Sequence, residues 1–136
     1  VSTVLFVCRQ NAGRSQISRA LFEQSAEGRH RALAAGTAPA DRVHPEVVEV
    51  LSEIGIDLSD RSPVLLTQAL AEQADLVITM GCGDECPVIP GKRYIDWDLK
   101  DPADRPLAAV REIRDEIGAR VSDLLKQLNE GGMLPL

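Results

Sequence analysis

The stretch TVLFVCRQNAGRSQ, residues 3–16, constrains this chain more than any other. The apolar, β-branched run Thr3–Val7 fits a short strand buried on both faces of a sheet. A turn containing Asn11 and Gly13 follows it. From Ser15 to about Glu27, Ile17, Ala20, Leu21 and Ala26 then recur at helical spacing. A buried strand that runs through a turn into a helix is the opening unit of a parallel α/β sheet.

The rest of the chain repeats that alternation. Residues 32–36 form a second strand candidate, closed by Gly36-Thr37-Ala38-Pro39. His44-Pro45 opens a helix carrying Val47, Val48, Val50, Leu51 and Ile54, which Gly55 ends. Residues 57–63 read as loop, and Thr67 is placed to cap a short helix through Gln73. ADLVITM, residues 74–80, is a further apolar strand, and residues 93–95 a fourth, short one. Beyond Pro106, Val110, Ile113, Ile117, Val121, Leu124, Leu125 and Leu128 repeat at three and four, the stripe of a core-facing helix. The expected domain spans residues 1–130, with 131–136 a frayed tail. In parallel sheets ligands bind beyond the carboxyl ends of the strands. Cys8 follows the first strand and Cys82 the 74–80 strand, so both are expected on that edge.

Composition narrows the function. A net charge of −6 over 136 residues supplies no basic stripe for nucleic acid. No run approaches the 18 apolar residues of a membrane span, and no secretory leader precedes the first strand, so a cytoplasmic location is expected. Three cysteines do not form a structural disulfide framework, and in a reducing compartment thiols are more often catalytic, redox or metal-binding. Aromatic residues are only 3%, so the core is expected to rest on Val, Leu, Ile and Ala.

The turn CRQNAGRS carries the clearest chemistry. A loop entering a helix N-terminus aims backbone N–H groups at one point, where the helix dipole adds positive charge. Arg9, Gln10, Asn11, Ala12 and Gly13 would supply those amides, with Asn11 and Gly13 tolerating positive φ. Arg14 adds a planar fork that fits two oxygens of a tetrahedral oxyanion. The same field favours the thiolate of Cys8. Ser15 either donates its hydroxyl to that sulfur or caps the helix. A nucleotide-binding loop is excluded because no Gly-Lys-Ser/Thr follows.

Thiolate attack on such an oxyanion needs a proton for the departing oxygen. Asp96, Asp98, Asp101 and Asp104 all lie in one stretch, and spacing alone does not choose among them. Cys82 and Cys86 stand in MGCGDECP. Their spacing is within the zinc range, but two further ligands would have to come from His30, His44 or Cys8. A Gly- and Asp-rich loop is a poor pocket for inert buried thiols. Redox exchange needs access, a flexible backbone and a reachable sulfur, and Gly81 and Gly83 flank Cys82.

VLFVCRQNAGRSQ resembles the phosphate-binding loop of the low-molecular-weight protein tyrosine phosphatase superfamily. With His44-Pro45, Gly55-Ile56-Asp57 and the Trp97–Asp101-Pro102 segment, the chain is similar to the arsenate reductases of that superfamily over residues 3–128. The resemblance implies a four-stranded parallel sheet flanked by helices on both faces. It selects Asp101, before Pro102, as general acid, and Cys8, Arg14, Ser15, Cys82 and Cys86 as the remaining catalytic set. It further implies that arsenate is the substrate, with phosphate and sulfate as competing anions, and that no metal or tightly bound cofactor takes part. The electrons would come from thioredoxin, or from mycothiol or glutathione with a glutaredoxin-like protein, and the protein would act as a monomer. Arg19 stands where some members carry an acidic residue that helps hold potassium, so no cation site is carried over. An aryl-phosphate phosphatase is the rival reading, although Ala103 replaces the aromatic residue such enzymes place after Asp-Pro. A non-enzymatic regulator that binds oxyanion or zinc is the third.

Overall fold

The computed structural model describes residues 2–81 and 92–129. Cys82, Cys86 and the tail at 131–136 lie outside the described residues. Four strands form one parallel sheet: β1 (Thr3–Cys8), β2 (Arg31–Gly36), β3 (Leu76–Thr79) and β4 (Arg93–Asp96), in the order β2-β1-β3-β4. The helices are α1 (Arg14–Ala26), α2 (Pro45–Ser52), α3 (Gln68–Gln73) and α4 (Leu107–Asn129).

β1 is central and buried along its whole length, as its unbroken apolar run requires. The twofold alternation of a strand splits its side chains between two clusters. Val4, Phe6 and Cys8 face one side, with Ile17, Val47, Val110 and Ile117 of α1, α2 and α4. Leu5 and Val7 face the other, with Ala71, Ala74 and Val77. The two covers are unequal: three helices lie in the first layer, and the short α3 with Leu66 in the second.

All seven apolar residues of the α4 stripe are buried. The few aromatic residues nevertheless concentrate at the centre. Phe6 meets Phe22 edge-on at 5.6 Å between ring centroids and Trp97 at 5.9 Å. Burying each such ring fully contributes about 1.5–3 kcal/mol.

Helix ends follow local chemistry. Pro45 opens α2 behind an extended His44. Gly55, at φ 82°, closes it, with Gly55 N–H donating to Ser52 O and Ile56 N–H to Leu51 O, the paired bonds of a Schellman turn. Thr67 Oγ1 caps α3 by accepting from Leu70 N.

Register decides where chemistry can occur. Cys8 is aligned with Gly36, Val7 with Thr79, and Thr79 with Asp96, so all four strands end along one edge.

Candidate active site

At that edge the chain leaves β1 and curls through residues 8–13 into α1. The neighbouring segment 37–44 binds the outside of the curl. Thr37, Ala38, Ala40 and His44 N–H groups donate to the carbonyls of Cys8, Arg9, Gln10 and Ala12, at 3.3, 2.7, 3.0 and 2.9 Å. The Asn11 carbonyl accepts from Gln16 Nε2 at 3.0 Å. A trans peptide points its N–H opposite to its C=O. With these five carbonyls taken from outside, the N–H groups of Arg9, Gln10, Asn11, Ala12 and Gly13 turn toward the interior of the loop. Asn11 N–H accordingly points at Cys8 Sγ, at 3.2 Å.

Cys8 is 2% exposed, at the floor of the curl. Ser15 Oγ lies 2.9 Å from its sulfur. Ser15 does not cap the helix: α1 starts at Arg14, Gly13 is its N-cap residue, and no side chain caps it. Ser15 is already inside the first turn, too far along to reach the terminal amides, so its hydroxyl turns to sulfur. The helix end therefore offers its first-turn N–H groups to an anion.

Backbone strain falls on one of the two expected residues. Asn11 adopts φ 51°, whereas Gly13 has φ −135°. Gly13 is needed for space: a Cβ there would lie 2.7 Å from Pro102 Cγ. Gly36 has a similar role, since a Cβ on it would lie 2.6 Å from Arg9 O.

The Asp101-Pro102 segment thus closes on the loop. Arg14, its side chain 11% exposed, donates from Nη1 to Leu99 O at 3.3 Å and approaches Asp101 Oδ2 with Nη2 at 3.6 Å. Asp101 is half exposed and also accepts from Ala103 N–H at 3.0 Å. The other carboxylates of that stretch have separate surroundings. Asp96 accepts from Thr79 Oγ1 at 2.8 Å, Asp98 is exposed, and Asp104 is a turn residue at φ 57°. Only Asp101 among the four is paired with Arg14.

Gly81, at φ 81°, lies against the guanidinium of Arg14: a Cβ on it would overlap Nη1 and stand 2.8 Å from Cζ. Gly81, the residue that follows β3 and Met80 and precedes Cys82 in sequence, therefore lies directly beside Arg14.

The match to known proteins agrees with this geometry. Residues 3–133 match the family model of low molecular weight phosphotyrosine protein phosphatase. The chain belongs to that family. A Halobacterium salinarum protein named a putative arsenate reductase is 46% identical over 129 residues, covering 91% of each chain. A Synechocystis protein named glutaredoxin arsenate reductase is 30% identical over 129 residues, covering 93% of this chain and 98% of its own. The structure of a thioredoxin-dependent arsenate reductase from Corynebacterium glutamicum superposes with a TM-score of 0.81 at 44% identity. That alignment covers 96% of this chain, which spans 62% of the Corynebacterium one. The four-stranded parallel sheet of this phosphatase-family chain is the shared fold.

Three features of this phosphatase-type site were not singled out by the sequence reading. Gln16 is buried beneath the loop, Val64 N–H donates to Asn11 Oδ1 at 2.9 Å, and Gly36 admits the loop backbone. Gln16 is the last residue of the motif that carries the resemblance, but no role was attached to it there. Val64 contributes only a main-chain group, which residue identity does not reveal. Among the described residues, no helix is long and apolar enough to cross a membrane.

Proposed function

We propose that this protein is an arsenate reductase whose nucleophile is Cys8. One observation carries the reading: Cys8 Sγ sits under inward-turned loop amides, and Gly81, the residue before a second cysteine, packs against Arg14. A hydrolytic phosphatase needs the first of these features but has no use for a thiol-bearing chain at the second. The names of the relatives support the same reading.

Arsenate settles in the curl of residues 8–14, held by the N–H groups of Arg9 through Gly13 and by the Arg14 fork. Cys8 thiolate forms a bond to arsenic(V) as an As–O bond breaks, and Asp101 gives the departing hydroxide a proton. Cys82 thiolate then attacks Cys8 Sγ. The S–As bond breaks with its electron pair on arsenic, so arsenite leaves and the two thiols become a disulfide. Cys86 attacks Cys82, which frees Cys8 and moves the disulfide outward. Thioredoxin, or a small thiol such as mycothiol or glutathione with a glutaredoxin-like protein, supplies two electrons to restore the thiols. Thiols carry both electrons, and the reducing cytoplasm is the compartment in which such a cycle is sustained.

Non-reducing mass spectrometry after one equivalent of arsenate tests this route. A Cys82–Cys86 disulfide is expected from the wild type, and a trapped Cys8 adduct from Cys82→Ser. Thiol-dependent arsenate turnover that survives Cys82→Ser unchanged removes the internal disulfide step. Aryl-phosphate hydrolysis far exceeding arsenate reduction would replace the proposal with a phosphatase.

A further inference from the structure

Gln16 lies in α1 and is 2% exposed. Its amide holds Asn11 twice. Nε2 donates to the Asn11 main-chain carbonyl at 3.0 Å and to Asn11 Oδ1 at 3.1 Å, with a longer approach to Ser62 O at 3.5 Å. Main-chain carbonyls only accept, so this end of Gln16 must be its NH2. The Val64 main-chain N–H only donates, so the Asn11 atom that it meets at 2.9 Å must be Oδ1. Backbone groups whose roles cannot reverse therefore fix both amide orientations.

The consequence reaches the sulfur. With Oδ1 held by Gln16 and Val64, Asn11 Nδ2 faces Ser15 Oγ at 2.6 Å. Nδ2 can only donate, so Ser15 Oγ accepts from it. The single hydroxyl proton of Ser15 is then left for Cys8 Sγ, 2.9 Å away. Sulfur thus accepts hydrogen bonds from Ser15 and from Asn11 N–H, two donors aimed at the proposed nucleophile.

We propose that Gln16 is a positioning residue for the nucleophile: by clamping the side chain and backbone of the left-handed Asn11, it sets the direction of the Asn11–Ser15–Cys8 hydrogen bonds toward sulfur. The inference deepens the assignment of Cys8 as nucleophile and rests on it. Without Gln16, the buried Asn11 carbonyl loses its partner, and Val64 N–H alone is left to hold Oδ1, so the asparagine amide is less firmly held against turning over. A turned amide presents Oδ1 to Ser15, which then donates to Asn11 and no longer to sulfur.

The test is the pH profile of Cys8 alkylation by iodoacetamide in the full chain, with the Cys8 peptide quantified by mass spectrometry. Gln16→Met, close in volume, is expected to move the profile toward alkaline pH and to slow alkylation below neutrality by about tenfold. Gln16→Glu, the isostere, places acceptor oxygens against Asn11 O and Oδ1 and is expected to do the same. Ser15→Ala should produce a similar displacement, and Gln16→Met in the Ser15→Ala background should add nothing to it. An additive double variant, or a profile unmoved in a folded Gln16→Glu protein, overturns the proposal. Were wild-type Cys8 itself no more reactive than a free cysteine, the nucleophile assignment would fall instead. Turnover plays no part in this readout, so the two failures are distinguishable.

Discussion

Pro102 lies directly over Gly13: a methyl group on the glycine would come within 2.7 Å of the proline ring. This approach brings the segment carrying the candidate acid, Asp101, against the loop carrying the candidate nucleophile, Cys8, two pieces of chain nearly ninety residues apart. Gly13→Ala must push that segment outward. The expected outcome is a loss of about 1–3 kcal/mol in stability from overpacking, with kcat falling more than the affinity for arsenate. Urea unfolding and steady-state kinetics on the same sample check both parts.

Asp101→Asn keeps the shape of the segment and removes the proton. If Asp101 protonates the departing oxygen, kcat drops by about 10²–10⁴, while phosphate still competes for the site. A variant with near-normal kcat would move the acid role elsewhere.

Arg14→Lys leaves a positive charge but removes the fork that spans two oxygens, and with it the contacts to Leu99 O and Asp101. A fall of about 10- to 100-fold in kcat/KM is expected, corresponding to roughly 1.4–2.7 kcal/mol. The inhibition constant for phosphate should rise in parallel, because in the proposed site the same fork would hold either anion.

Gly81→Ala places a methyl group in the guanidinium of Arg14 and strains a backbone at φ 81°. Arsenate binding should weaken through the displaced arginine, and the attack on Cys8 by the following cysteine should slow. Quenched-flow measurement of arsenite release, set against the burst of Cys8 adduct, separates these two effects.

A fifth prediction concerns stability far from the site. Glu53, at the end of α2, pairs with Arg111 at 2.7 Å and Arg114 at 3.0 Å of α4. The Arg111 hydrogen bond is the largest cause, and with the Arg114 hydrogen bond and the charges of both arginines it holds the carboxyl below the ordinary value of 4.5, against an opposing desolvation second in size only to the Arg111 bond. A depressed carboxylate stabilises the fold above its unfolded value and loses that contribution as pH falls through the folded one. Glu53→Gln should therefore lower Tm at neutral pH, and the difference from wild type should vanish in acid. Because the carboxylate is solvent-exposed, the effect should also shrink in high salt.

Sequence patterning made the scaffold legible because each signal acts within a few residues. The apolar runs gave the buried strands, Pro45 and Gly55 bounded α2, and the three-and-four repeat identified the buried face of α4. The order β2-β1-β3-β4 is not a local property; the family resemblance implied four parallel strands, and the structure supplied their order. Asn11 was rightly marked for positive φ, whereas Gly13 was marked for the wrong reason, since what its missing side chain admits is a ring from residue 102. Ser15 shows the same division. Its two possible roles were equal in sequence, and the start of α1 at Arg14 removed one of them.

By itself, then, the sequence determined a strand–loop–helix unit with a cysteine at its floor and an arginine at its rim, because strand period, turn chemistry and helix polarity are short-range. Tertiary structure decided which distant groups complete that unit. The 37–44 segment turns the loop amides inward, Gly81 and Asp101 meet Arg14, and Val64 orients Asn11. Those contacts depend on the register of parallel strands joined by long crossovers. Hydrogen bonds to main-chain atoms leave no signature in residue identity, so folding alone could reveal them.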